Sequence, residues 1–128
     1  MTDTQKHIHS YYSPGDLFNK IKSALVESGR GLENLTLDDL TLVDEFHIRG
    51  LTATMELIKL SGFTADMHIL DIGCGIGGST RRLADVVGCQ VTGVDLSDHY
   101  IETADALSEL VGMQEKVDFK ACNALDLP

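Results

Sequence analysis

Tryptophan is absent and aromatic residues make up only 5% of the 128 positions. A base-stacking platform for single-stranded nucleic acid therefore has almost no material here. Positive charge is also scarce: 10 Lys and Arg face 20 Asp and Glu, for a formal charge of −10 and a pI near 4.7. That balance opposes an electrostatic grip on phosphate backbones or anionic membranes. No apolar run approaches the roughly 20 residues of a membrane span, and the first residues lack the apolar stretch of a secretory leader. The three cysteines, Cys74, Cys89 and Cys122, form no CxxC pair, so neither a disulfide framework nor a zinc site is indicated. Only Pro14 and Pro128 interrupt the chain, and there is no internal repeat. With 43% hydrophobic residues, what remains is a small acidic globular chain, expected in the cytoplasm, with no metal and no nucleic-acid or membrane partner.

The first half carries helical signals. Ser13-Pro14-Gly15-Asp16 supplies an N-cap, a proline at the first helical position and an acidic third residue. Leu17, Ile21 and Leu25 follow on one face, with Phe18 alongside. Thr36-Leu37-Asp38-Asp39 repeats the capping pattern, and Leu51, Met55 and Ile58 form a further stripe that ends near Gly62. The second half changes period. Met67–Ile72, Gln90–Asp95 and Lys116–Ala121 read as short buried strands. Between them lie a helix over Ser79–Val87, with Leu83, Val86 and Val87 inward, and one capped by Ser97. The latter turns Ile101, Ala104, Leu107 and Val111 to the core. The order is strand, helix, strand, helix, strand, which predicts an α/β, Rossmann-like parallel sheet at 65–128 behind an N-terminal helical segment at 1–64.

The chemistry concentrates in Ile69-Leu-Asp-Ile-Gly-Cys-Gly-Ile-Gly-Gly78. Glycines at 73, 75 and 77 remove Cβ atoms where a ligand would approach the backbone, and the following helix offers its N-terminus. Asp95 ends the next strand, twenty residues after Gly75, where a carboxylate accepts both hydroxyls of a ribose. Gly73, Gly75 and Gly78 also spell the dinucleotide fingerprint, a weak match by itself. Asp71 argues for another nucleoside. Two residues before the first glycine, it would repel a pyrophosphate by about 1 kcal/mol at an effective dielectric near 20. It would instead favour a nucleoside that carries an ammonium and a sulfonium. No Lys follows the glycines, so a phosphate-binding P-loop is excluded.

These segments resemble class I S-adenosylmethionine-dependent methyltransferases. The likeness rests on His68–Gly77, on Val91-Thr-Gly-Val-Asp-Leu-Ser97 and on Phe119–Pro128. It implies that Asp71, Gly73, Cys74, Gly75 and Gly77 hold the methionine part of S-adenosyl-L-methionine. Asp95 would hold the ribose and Leu96 would lie against the adenine. Asn123 stands where the family often has Asp; its amide oxygen would accept from the adenine amino group without charge assistance. Ala124 and Leu125 would line the same pocket. Tyr11–Asp16 and Asp44–Gly50 are similar to the N-terminal helices of ubiquinone/menaquinone-biosynthesis-like and sarcosine-methylating small-molecule methyltransferases. That similarity implies a cation–π contact of Tyr12 with the sulfonium and a hydrogen-bonding or acid–base role for His47, against the blander reading of both as packing residues. His7, His9, His68 and His99 show no metal-ligand spacing.

The family sheet runs 3-2-1-4-5-7-6, and this sequence supplies its first three strands. The expected function is methyl transfer to a small-molecule acceptor, with this chain as the cofactor-binding portion and no catalytic base that can be named. Two alternatives stand beside it: a catalytically silent S-adenosylmethionine-binding module, and an NAD-dependent oxidoreductase half-domain. An unpaired first strand would leave an apolar edge, so either a homo-oligomer or a piece of a longer chain is expected.

Overall fold

The computed structural model describes residues 2–4, 16–44 and 50–128. Helix α1 spans Leu17–Glu27. A 3-10 turn at Asp38–Leu40 leads into the short α2 at Thr41–Asp44, and α3 spans Gly50–Ser61. Then follow β1 at His68–Ile72, α4 at Gly78–Val87, β2 at Gln90–Asp95, α5 at Asp98–Leu110 and β3 at Val117–Ala121. The strands form one parallel sheet in the order β1-β2-β3, with Ile69 opposite Val91 and Val91 opposite Val117. This is the α/β arrangement predicted from the change of hydrophobic period.

Alternation along the strands sends Val91, Val117 and Phe119 to one face. There they meet Leu83 and Ala84 of α4 and Ile101 and Ala104 of α5. A second cluster joins Ile21 and Leu25 of α1 to Leu35, Leu40 and Leu107. The N-terminal helices thus share a core with α5 rather than building one of their own. The inward face of α5 is as its sequence predicts, and Ser97 caps it by accepting from the Tyr100 amide at 3.2 Å.

Several local expectations change. Of the expected cap, Ser13, Pro14 and Gly15 lie outside the described residues; helix α1 runs from Leu17, with Asp16 in the left-handed region at φ 64° and making no side-chain cap. Its carboxylate accepts instead from the Asn19 amide side chain. The Thr36–Asp39 pair does close, Asp39 accepting from both the amide and the hydroxyl of Thr36, and a 3-10 turn follows. These bonds hold the Asp39 carboxyl below its usual range, the Thr36 amide contributing most and Arg30 adding to it. In α3 the buried residue is Thr54, while Met55 is 39% exposed. In α4 the inward face runs through Thr80, Arg81, Leu83 and Ala84, and Val86 is 45% exposed.

Candidate functional site

The turn after β1 is built on glycine backbone geometry. Gly73, Gly75 and Gly77 have φ of 75°, 57° and 84°, a region that side chains with a Cβ enter at a cost. The reasons differ along the loop. A Cβ on Gly77 would lie 2.5 Å from Cζ of Phe119, so this position is tied to the core. A Cβ on Gly73 or Gly75 would meet no atom within 4 Å. At those two positions the bare backbone borders open space.

The loop amides are directed inward. Gly73 and Cys74 both donate to the Val94 carbonyl, at 2.8 and 3.0 Å, and Gly77 donates to Cys74 O at 2.9 Å. Gly75 donates to Asp95 Oδ2 at 2.9 Å, while Asp95 Oδ1 accepts from the Ser97 amide at 3.0 Å. Four N–H groups of the loop are therefore engaged with the protein itself. Asp95 is fixed from both sides, with its carboxylate lining a cavity of about 540 Å³. That cavity is bounded by Ile72, Gly73, Gly75, Val94, Leu96, Ser97, Tyr100, Cys122 and Ala124. A second cavity, about 550 Å³, shares Gly73, Gly75 and Tyr100 with the first and continues beneath α1 past Leu17, Lys20, Ile21, Asp44 and Cys74. Together they form one elongated groove over the loop, within the size range of small-ligand sites.

The expected site residues take the following places. Gly73, Cys74, Gly75, Asp95, Leu96 and Ala124 border the groove, and Gly77 supports it from within the core. Asp71 lies below the loop, where its Oδ2 accepts from the Thr80 hydroxyl at 2.7 Å. It lines a separate apolar cavity between α3 and β1. Burial pushes its carboxyl above the usual range, Thr80 opposing this and the Asp95 charge adding to it. Burial likewise pushes the Cys74 thiol up, with Asp71 and Asp95 adding, so it is no ready nucleophile. Asn123 turns its Oδ1 onto the Leu125 amide at 3.0 Å, and Leu125 is 95% exposed. Neither borders the groove. Cys122 borders it instead, because β3 ends one residue earlier and its amide bonds Asp95 O at 2.9 Å. Tyr12 and His47 lie outside the described residues.

Three residues that sequence reasoning passed over matter here. Tyr100 stands where the two cavities meet, and Lys20 faces the loop from α1. Arg81 is fully buried, its guanidinium bonded to Asp44 Oδ1 at 2.7 Å, Ile76 O at 2.9 Å and Ala104 O at 3.2 Å. The ion pair ties the end of α2 to α4 at the groove wall. A helical Arg reads as solvated from sequence, and no local signal marks its partner 37 residues earlier.

Comparison with known proteins places this geometry. Residues 69–128 match a family described as a methyltransferase domain. This stretch resembles class I methyltransferase domains. A similar protein is an O-methyltransferase (cnsE) of Penicillium expansum, 41% identical over 116 residues. The match covers 89% of this chain and 42% of that enzyme. The chain spans about half or less of the curated relatives it matches. Among solved structures, a geranyl diphosphate methyltransferase in complex with S-adenosylmethionine is 29% identical, with a TM-score of 0.60 over 72% of this chain and 37% of that one. A geranyl diphosphate C-methyltransferase from Streptomyces coelicolor aligns with all of this chain and 51% of its own at a TM-score of 0.70. At 20% identity it shows the fold alone. As in that fold, the domain here presents its glycine loop at the carboxyl ends of parallel strands.

Proposed function

We propose that this chain binds S-adenosyl-L-methionine in the groove over Gly73–Gly75 and forms the cofactor-binding part of a methyltransferase that acts on a small-molecule acceptor. The observation that carries the reading is the loop itself: its backbone borders open space while its amides are turned onto Val94 O and Asp95. A polyanion would find two carboxylates nearby, those of Asp71 and Asp95. A cationic nucleoside finds a favourable field. The residues fit such a guest: Asp95 with its spare lone pairs would hold the ribose hydroxyls, Leu96 and Ala124 would flank the base, and Gly73, Cys74 and Gly75 would bear the amino-acid arm. When bound, the cofactor supplies an electrophilic methyl group. The role of these side chains is to fix its orientation so that an acceptor can attack in line.

The activities for which the relatives are named, O- and N-methyltransferases among them, support transfer to small molecules. So does a net charge of −10, which disfavours nucleic acid. Among the described residues no group of His, Cys, Asp and Glu could hold a metal ion, and no described helix is long and apolar enough to cross a membrane. Cys74, Cys89 and Cys122 are all free thiols, which supports a reducing, cytoplasmic setting. Calorimetric titration with S-adenosylmethionine, S-adenosylhomocysteine and NAD tests the proposal. Binding of the first two and none of NAD is expected; tighter NAD binding would overturn it in favour of an oxidoreductase half-domain.

A further inference from the structure

We infer that Asp44 is a specificity residue that keeps phosphate-bearing nucleotides out of the groove, an inference that rests on the function proposed above. The groove runs from the cavity lined by Asp95 to the one beneath α1. A nucleoside held at Asp95 therefore extends its 5′ substituent over Gly73, Gly75 and Gly78. Gly78 opens α4, and the start of a helix attracts anions. Asp44, the last residue of α2, closes that position. Its carbonyl oxygen and its Cβ lie 2.5 Å from where a Cβ on Gly78 would stand. Its Oδ1 takes the Arg81 guanidinium at 2.7 Å, with only 4% of the Asp44 side chain and none of the Arg81 side chain exposed.

Gly78 is the third glycine of the spacing that spells the dinucleotide fingerprint, where that glycine serves close packing of helix and strand. Here the space it leaves is taken by Asp44, from a helix that precedes the sheet. The residue that completes the fingerprint thus admits the group that opposes a dinucleotide. Without Asp44, the Arg81 guanidinium beside the helix start would form a phosphate site, because its planar fork of donors matches phosphate oxygens. With Asp44 in place that cation is neutralised. A diphosphate then meets a carbonyl oxygen and the carboxylates of Asp44, Asp71 and Asp95. The cation in the cavity lining, Lys20, is exposed on α1, where solvent and salt screen it. A thioether or sulfonium next to the ribose carries no negative charge and is not repelled.

The probes are S-adenosylhomocysteine and ADP-ribose, titrated calorimetrically into the wild-type chain and its variants. Wild type should bind ADP-ribose at least about tenfold more weakly than S-adenosylhomocysteine. Asp44→Ala, which bares the guanidinium to the groove, is expected to tighten ADP-ribose about tenfold, the scale of a close charge pair. It should change S-adenosylhomocysteine by less than about twofold. Asp44→Asn, which keeps the shape of the site, should move ADP-ribose the same way by about threefold. Adding Arg81→Met to Asp44→Ala should abolish the gain, which separates the guanidinium from Lys20. Asp38→Asn, which removes the same charge at the exposed partner of Arg82, should leave both affinities within about 1.5-fold. Wild type that binds ADP-ribose within about twofold of S-adenosylhomocysteine overturns the inference, whatever the variants do. So does the absence of an ADP-ribose gain in Asp44 variants that still bind S-adenosylhomocysteine, or a gain that survives Arg81→Met. Each of these leaves the cofactor reading intact. Failure of the wild-type chain to bind S-adenosylhomocysteine would instead overturn the cofactor reading itself, and this inference with it.

Discussion

Asp95 and Asp71 show how two carboxylates near one loop come to have different work. Asp95 is tethered by the Gly75 and Ser97 amides and keeps its carboxylate on the groove. Asp95→Ala is expected to weaken S-adenosylmethionine by about 1–3 kcal/mol, through unpaired ribose hydroxyls and a loosened loop. Asp85→Ala, on the exposed side of α4, should leave affinity unchanged; equal effects in titration calorimetry would show the site to be elsewhere. Asp71 acts from below, buried and bonded to Thr80, with its carboxyl raised above the usual range chiefly by burial. A raised folded-state value means that its contribution to stability is present in full at low pH and is lost as pH rises through that value. Asp71→Asn, which keeps an oxygen for Thr80, should therefore melt higher than wild type at pH 7. The difference should vanish as the pH falls below the ordinary carboxylate range. Affinity for the cationic cofactor should move the other way, weaker in Asp71→Asn at pH 7 and falling in wild type as Asp71 protonates. A variant that is both less stable and unchanged in affinity would contradict this assignment.

At the scale of elements, the loop and the start of α4 are pinned by close contacts. Gly77→Ala combines a positive φ with a Cβ 2.5 Å from the Phe119 ring, so β3 or the loop must shift. Gly75→Ala meets open space and carries only the backbone penalty of about 1–2 kcal/mol. Denaturant unfolding should show Gly77→Ala as clearly the more damaging to stability, with Gly75→Ala acting more on ligand affinity. The junction of α2 and α4 depends on Arg81 and Asp44, buried at 0% and 4% side-chain exposure and 2.7 Å apart. Arg81→Met would remove the buried cation beside the Asp44 carboxylate and is expected to cost about 3–5 kcal/mol. A loss below about 1 kcal/mol in the same unfolding measurement would mean that the pair is not structural.

For the whole molecule, the sheet decides the surface. Helices α4 and α5 cover one face, while β1 lies at an edge, leaving Leu70 45% and Ile72 58% exposed. Leu57 and Leu60 on α3 are exposed as well. An apolar strand at an edge favours pairing with another chain, against which the net charge of −10 provides only general repulsion. Sedimentation is expected to show a mass that rises with protein concentration. Leu70→Lys with Ile72→Lys should return it to that of one chain without changing the helical content. A constant single-chain mass for wild type would remove the expectation.

The short apolar runs, the glycine turn and the spacing from Gly75 to Asp95 are local patterns, so the sequence alone determined the parallel sheet and the place of the loop, whereas the burial expected of β1 is not met, since it lies at the edge with Leu70 and Ile72 exposed. The inward row of α5 was legible for the same reason: Ile101, Ala104 and Leu107 recur at helical spacing and are buried. Other features depend on partners distant in the chain. Arg81 looks like a surface residue until Asp44 and Ala104 surround it, and the capping pattern around Thr36 cannot say how long a helix follows. Asp71 read as a wall of the site, yet the side-chain alternation of β1 and the Thr80 hydroxyl hold it beneath the loop. Lys20 and Tyr100 became groove residues only when α1 and α5 packed across the strand ends. Hydrophobic period is a property of neighbours in sequence; the electrostatic surroundings of a charge are set by whatever the fold brings beside it.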